Sequence, residues 1–341
     1  MCAGAAMSEI GDVLRNSDVG AIFMNRQSTE AGDYNRVVGA DANFRFLRYL
    51  SWNSFFVKSQ TPGAEAGQLA WKTSLGWEDN FHHYQYAVLN VDEDFQADLG
   101  FVRRTGVRKH FVDAGIRPRP LWLRKFGFLE FHPHNRLNRY TDLDNDEMTR
   151  NDHWAASLFF ERGGFIEYAV EPRMDTLIAP FDIRPDVSIP VGGYAWNEYQ
   201  LTVETDRSRM LSGSLTLTNG GFWDGTQNAQ RLAVVVRPSY RLLIDVGVQR
   251  NDIALRTPTA SFTTNLLTAR TAYSFSTSMF LDALLQYNTD VKQFNANVRF
   301  NLIHRPLSDV FVVYNEQQFT DRPDVVAGRA VIVKYTHMLS F

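Results

Sequence analysis

Apolar and polar residues alternate along most of this chain, and alternation with period two belongs to strands, whose side chains point to opposite faces in turn. In residues 291–304 the even positions are Phe294, Ala296, Val298, Phe300 and Leu302, and the odd ones are Gln293, Asn295, Asn297, Arg299 and Asn301. Residues 36–46 set Val38, Ala40, Ala42, Phe44 and Phe46 against Gly39, Asp41, Asn43 and Arg45. Residues 240–250 set Leu242, Ile244, Val246 and Val248 against Arg241, Asp245 and Gln249. Residues 197–205, 211–218, 231–237, 265–275 and 279–287 do likewise. No window keeps helical spacing over three turns.

The chain ends on the same pattern. Val331, Val333, Tyr335, Leu339 and Phe341 fall on one face, and Ile332, Lys334, Thr336, Met338 and Ser340 on the other. His337 is the one residue that breaks the apolar face. A final strand that stops on an aromatic resembles the end of bacterial outer-membrane β-barrels, with Tyr335, Leu339 and Phe341 as the signature that the barrel-assembly machinery would read. In such a barrel the apolar face meets lipid and the polar face meets the lumen. The competing architecture is a soluble sandwich or propeller, which would bury the apolar face between packed layers. The pattern favours an all-β, antiparallel transmembrane barrel located in the outer membrane.

Loop lengths support that reading. Short turns fall at 46–49, 206–208, 237–239 and 304–306. Longer polar connections fall at 27–34, 59–68, 92–104, 140–147, 173–191, 219–228, 251–261 and 317–327. Short turns on one side and long loops on the other are the barrel rule. Counting back from Phe341 gives about eighteen strands, an even number as single-chain bacterial barrels require. The parity depends on taking 106–117 as a strand. The proline-rich segment 173–191 reads as an external loop that could fold inward.

The bulk numbers exclude several classes. With 35 Lys+Arg against 38 Asp+Glu, there is no basic excess for nucleic acid. No apolar run of about 18 residues exists, so no helix is expected to span a membrane. A slightly negative mean hydropathy still suits a barrel, where only alternate residues face lipid. Aromatics make up 13% of the chain, enough to furnish interfacial girdles. The single cysteine, Cys2, rules out an intrachain disulfide. The opening residues lack the basic end and apolar run of a cleavable leader. Residues 1–17 are expected to be disordered or a partial strand, and 18–341 to form the barrel. The whole reads as the C-terminal part of a longer, exported protein. If it were the entire product, an unpaired edge would be expected to leave it misassembled or in a smaller barrel.

Three stretches carry a family resemblance: DEDFQADLGFVRRTGVRKHF (92–111), RMLSGSLTLTNGGFWDG (209–225) and LLQYNTDVKQFNANVRFNLIHRPLSDVFVVYNE (284–316). They resemble the C-terminal barrel region of the DUF5916 proteins, over about residues 18–341. The resemblance implies a large outer-membrane protein with a periplasmic domain similar to family 9 carbohydrate-binding modules. That domain and the first barrel strands are absent from this chain. Members are often labelled hydrolases, and no motif residue here carries that label over.

Candidate sites are few. Asp142, Asp144 and Asp146 alternate as at the start of a calcium loop, but an EF-hand needs Gly at the sixth position and Glu at the twelfth. Those positions hold Glu147 and His153, which leaves only a looser calcium site or an acidic hairpin tip. His132, His134 and His153 would approach one another if 123–139 pairs with 148–161, within reach of a metal such as zinc. The neighbours His82 and His83 must point to opposite faces. No G-x-S-x-G elbow is present, and Ser340 and His337 lie on opposite faces. The polar faces hold charges of both signs: Asp41, Arg45, Glu198, Glu204, Asp245, Arg270, Asp282, Arg299 and Lys334. These would line a lumen, either selecting solutes or pairing with one another. The expected role is a membrane anchor that passes or binds a sugar-derived solute, with outer-membrane lipid and carbohydrate as partners and no cofactor beyond possible calcium. The alternative is a surface hydrolase of glycan or lipid, with Asp144, His153 and Asp175 as its candidate residues.

Overall fold

The computed structural model describes all residues except 1, 2, 15, 31, 258, 323–325 and 339–341. For 3–14, 326 and 327 only the strand itself is described. Leu339 and Phe341 of the terminal signature therefore lie outside the described residues.

Strands dominate. In chain order they are β1 (Ala3–Leu14), β2 (Ser17–Gln27), β3 (Tyr34–Phe46), β4 (Leu50–Gln60), β5 (Leu69–Glu78), β6 (His82–Val91) and β7 (Val107–Ile116). A short 3-10 turn, Leu121–Phe126, precedes β8 (Phe128–Thr141), β9 (Glu147–Phe160) and β10 (Gly164–Leu177). A small hairpin follows, β11 (Phe181–Arg184) with β12 (Val187–Ile189). Then come β13 (Gly192–Thr205), β14 (Leu211–Phe222), β15 (Gly225–Ser239), β16 (Leu242–Arg256) and β17 (Thr259–Ser276). The last four are β18 (Met279–Asn288), β19 (Gln293–Arg305), β20 (Ser308–Phe319) and β21 (Val326–Thr336).

All but β11 and β12 belong to one 19-stranded sheet. From β1 to β8, and again from β13 to β21, each strand pairs antiparallel with its sequence neighbour. This up-and-down meander is the strand plan of membrane barrels. Nineteen strands stand against the eighteen anticipated, because 3–14, expected to be partial or disordered, pairs along its length with β2. The segment 106–117 is a strand, as the parity needed.

Two expected loops are not loops. Segments 219–228 and 251–261 continue β14, β15, β16 and β17 to turns of about two residues. Asn219 faces Asn228, and Ile253 faces Phe262 across these ladders. Trp223 takes φ 55° to make the first turn. Gly225 packs so close to β16 that a Cβ would lie 1.9 Å from the Ala254 carbonyl oxygen. Polar residues look like loop in a sequence, but Thr, Asn and Gln pair well enough on a long hairpin.

The chain divides into two compact units. One holds Met1–Pro120, Glu130–Ala156 and Val170–Asn197, and the other Leu121–Leu129, Ser157–Ala169 and Glu198–Phe341. In the first, Phe44, Trp52, Leu75, Tyr86, Val112 and Leu137 sit directly opposite one another from β3 to β8, and so share one face. In the second, Val203, Leu215, Leu232, Val248, Leu267, Tyr287 and Phe294 form the same kind of row from β13 to β19.

Neither row is covered. In the first row Leu75 is 55% exposed and Tyr86 49%; in the second Leu232 is 49% exposed and Leu267 43%. The polar face is more enclosed: Asp41, Gly247, Gln249 and Thr268 are half-buried. Among the described residues only twelve hydrophobic side chains are buried, too few to be the core of a soluble protein of this length. Four of them, Ala70, Val91, Phe95 and Val107, cluster on the polar side of the first unit.

Candidate functional site

The polar face of the first unit carries a loop as well as strands. Residues 92–106, between β6 and β7, fold back onto it. Phe95 anchors the loop in the cluster with Ala70, Val91 and Val107. Hydrogen bonds then stitch it to strands far away in sequence. The Asn35 amide donates to the Gln96 carbonyl at 3.0 Å, and the Asp98 N–H donates to Asn35 Oδ1 at 3.1 Å. The Gln96 N–H donates to Ser59 Oγ at 3.1 Å. Asp94 accepts the N–H groups of Glu65 and Ala66 at 2.8 and 2.7 Å. Arg26 meets Asp98 through Nε at 2.9 Å and Nη2 at 2.7 Å, and reaches Asp33 at 2.7 Å. Asp94 and Asp98 and the N–H groups of Gln96 and Asp98 are thus satisfied, as polar groups in an enclosed place must be. Beside the loop lies a cavity of about 1000 Å³. Its wall includes Lys109 from β7, Tyr140 from β8, Thr149 and Asn151 from β9 and Arg173 from β10.

A second cluster gathers histidines on the same face. His132 and His134 stack with ring centroids 4.4 Å apart, His83 lies 4.9 Å from His132, and His153 lies 5.3 Å from His134. The approach of His132, His134 and His153 follows from hairpin register, as the sequence indicated. His83 Nε2 is 3.2 Å from Asp113, and His153 Nδ1 is 3.0 Å from Glu171. Arg173 also bonds Glu171. His82 points away and bonds Asp79 at 3.2 Å. Among the described residues the ligand atoms of His134, His153 and Glu167 lie within 4.8 Å of one another, a nitrogen and carboxylate set of the kind zinc takes; His83 and His132 stand outside it.

Asp142, Asp144 and Asp146 form a hairpin tip. Asp142 Oδ1 accepts the Asp146 N–H at 2.8 Å, and the Asp142 N–H donates to the Asp146 carbonyl at 3.0 Å. Asn145, at φ 75°, is held by Arg108. Among the described residues the three carboxylates do not converge on one point.

The charges expected on polar faces are placed as follows. Asp41 faces Gly20, where a Cβ would come 2.4 Å from Asp41 Oδ1, so a larger residue there would make the carboxylate turn aside. Arg45 is exposed near the end of β3. Glu198 faces Gly220, and Lys334 faces Phe311. The others join up. Asp245 lies directly opposite Arg270, Arg270 bonds Asp282 at 3.2 Å, and Asp282 lies directly opposite Arg299. Glu204 bonds Arg207 at 2.6 and 2.7 Å in the turn before β14. That bond, with Asp245 also contributing, raises the Arg207 pKa. A row of alternating sign therefore crosses β16 to β19.

The residues named for a hydrolase hold to separate partners: His153 to Glu171, and Asp175 to the Thr149 hydroxyl at 3.0 Å. Sequence reasoning missed the cavity's cations, Arg103, Arg104, Lys109 and Arg173. Lys109 was findable, since Val107, Lys109, Phe111 and Asp113 share one face of β7. The Arg103–Arg104 pair was not, because a loop's path has no period. Tyr335, from the terminal signature, stacks with His304 at 5.4 Å and His337 at 6.1 Å.

No protein-family model matches the chain, and no curated protein does. Among solved structures it is similar to OmpT, an outer-membrane protein of Vibrio cholerae, folded in vitro in its trimer form. The identity is 11%, the TM-score 0.44, and the match covers 97% of this chain and 93% of that one. It is also similar to a loop L8 deletion mutant of OmpT, at 12% identity and TM-score 0.42, over 84% of this chain and 91% of that one.

Proposed function

We propose that this chain is the membrane-embedded barrel of an outer-membrane protein of the DUF5916 kind, which anchors it and passes or holds a sugar-derived solute. One observation carries the reading: the apolar rows on both units are exposed, while the polar face is the more enclosed. A soluble fold would have the reverse, because burial of apolar surface is its main driving force. In lipid the exposed side chains cost nothing, and neighbouring strands pair their backbone groups along the ladders from β1 to β8 and from β13 to β21. The solute half of the reading rests on the charges of both signs along the polar face, which suit a water-filled path.

The membrane half is tested with brominated lipids. Trp52, Trp77 and Trp154 are all partly exposed. In reconstituted vesicles, acyl-chain bromine should quench their fluorescence strongly, and aqueous acrylamide only weakly. The opposite ranking removes the membrane reading. The transport half is tested in planar bilayers and by liposome swelling. Stepwise conductance and sugar-dependent swelling are expected; neither appearing leaves an anchor and no pore.

A further inference from the structure

We propose that the cavity beside loop 92–106 is a binding site for an acidic saccharide, one bearing carboxylate groups on its sugar rings. The inference rests on the barrel reading above and narrows its solute class from sugar to anionic sugar.

Charge is the first argument. The cavity wall holds four cations, Arg103, Arg104, Lys109 and Arg173, and no aspartate or glutamate. Arg173 is paired with Glu171. Among the described residues the other three have no carboxylate partner. Arg104 donates only to the Thr149 hydroxyl at 3.3 Å and the Met148 sulfur at 3.6 Å. The Lys109 ammonium lies over the rings of Tyr140 and Phe111, at 5.1 and 5.7 Å from their centroids. Asp175 accepts from the Thr149 hydroxyl at 3.0 Å and does not line the cavity. In a chain with a net charge of −3, three uncompensated cations around one cavity need an explanation. Such a lining draws anions by its field and holds them by charge-assisted bonds.

Shape is the second argument. About 1000 Å³ is far more than an inorganic ion needs and lies at the upper end for small-molecule sites. The half-buried Tyr140 supplies a flat apolar wall, and Phe101, 89% exposed, adds a second ring to the lining. The apolar faces of a pyranose ring pack on such walls while its carboxylate meets a guanidinium. The wall amides of Asn138 and Asn151 supply donors and acceptors for hydroxyls.

Position is the third. Lys109, Tyr140, Thr149 and Arg173 come from four strands, and Arg103 and Arg104 from a loop that Arg26 pins through Asp98. Arg104 is further held by Thr149 and Met148, which presets one of the loop's two cations for binding.

The test is equilibrium dialysis of the folded protein in detergent, with trigalacturonate, maltotriose and inorganic phosphate as probes. Trigalacturonate should be retained at least tenfold more strongly than maltotriose or phosphate. The triple variant Arg103→Gln, Arg104→Gln, Lys109→Gln should lose at least tenfold in trigalacturonate retention and keep its heat-modifiable band. Equal retention of maltotriose, equal retention of phosphate, or an unaffected triple variant would each overturn the proposal. The barrel reading is scored separately, by heat modifiability and lipid quenching, so either reading can fail while the other stands.

Discussion

Arg26 on β2 holds Asp98, seventy-two positions away, with two of its nitrogens on one carboxylate oxygen. Solvent screens this pair, so its worth lies in placing the loop rather than in a large contribution to stability. Asp98→Ala should free the loop that this pair pins. Trypsin is the natural probe, since Arg103 and Arg104 sit in that loop. Cleavage there should be several times faster in the variant than in the wild type, with the barrel band unchanged. Equal cleavage rates would mean that the loop is held by its other anchors alone.

A charge on the exposed apolar face separates the two solvents. Val38 is well exposed, so in water Val38→Arg should change stability by less than about 0.5 kcal/mol. Facing the bilayer midplane it should cost about 2–4 kcal/mol. Urea unfolding from lipid vesicles measures the difference directly.

Gly20 and Asp41 form a coupled pair. Gly20→Ala places a methyl group 2.4 Å from Asp41 Oδ1, a clash that one side must relieve by moving. The carboxylate is the end of a side chain and can turn aside, which holds the cost to about 1 kcal/mol, the low end for overpacking. Asp41→Ala in the same chain should recover most of that loss, giving a coupling energy above about 0.5 kcal/mol in a double-mutant cycle. Additive losses would show that the two side chains do not meet.

The alternating row from Asp245 to Arg299 predicts a change in selectivity larger than any change in stability. The Arg270–Asp282 pair is well exposed, and such pairs contribute about 0–1 kcal/mol. Arg270→Glu sets three acids side by side. In a KCl gradient the reversal potential should shift toward cation preference, while the urea midpoint moves little.

Asp79 gives a pH dependence of known sign. In the turn between β5 and β6 it accepts the N–H groups of His82 and Phe81, both at 2.7 Å, and the Trp77 indole at 2.9 Å. These bonds hold its carboxyl well below the usual range. A depressed folded pKa stabilises above the unfolded value, about 3.9, and the gain is lost as pH falls toward the folded value. Asp79→Asn should therefore be less stable than the wild type at pH 7. The gap should close only in strong acid, as read from unfolding curves at stepped pH.

Much of this architecture is legible in the sequence, because alternation is local. Val38 to Phe46 and Phe294 to Leu302 announce their faces without help from the rest of the chain. The approach of His132, His134 and His153 is legible too, since hairpin register follows from two neighbouring strands. What was not legible is long-range or masked by composition. Asn35 reaching Gln96 depends on where a loop goes after β6, and no periodicity reports that. Residues 219–228 and 251–261 look like loop because Asn, Gly and Thr are common in both settings. Their pairing partners decide the matter.

The docked loop also sets an order of events. Its anchors lie on β2, β3 and β4, through Arg26, Asn35 and Ser59, while the loop itself leaves β6. It cannot seat until those hairpins have zipped in register. The loop is therefore a latecomer in assembly, and a protease that finds Arg103 uncut reports a finished wall.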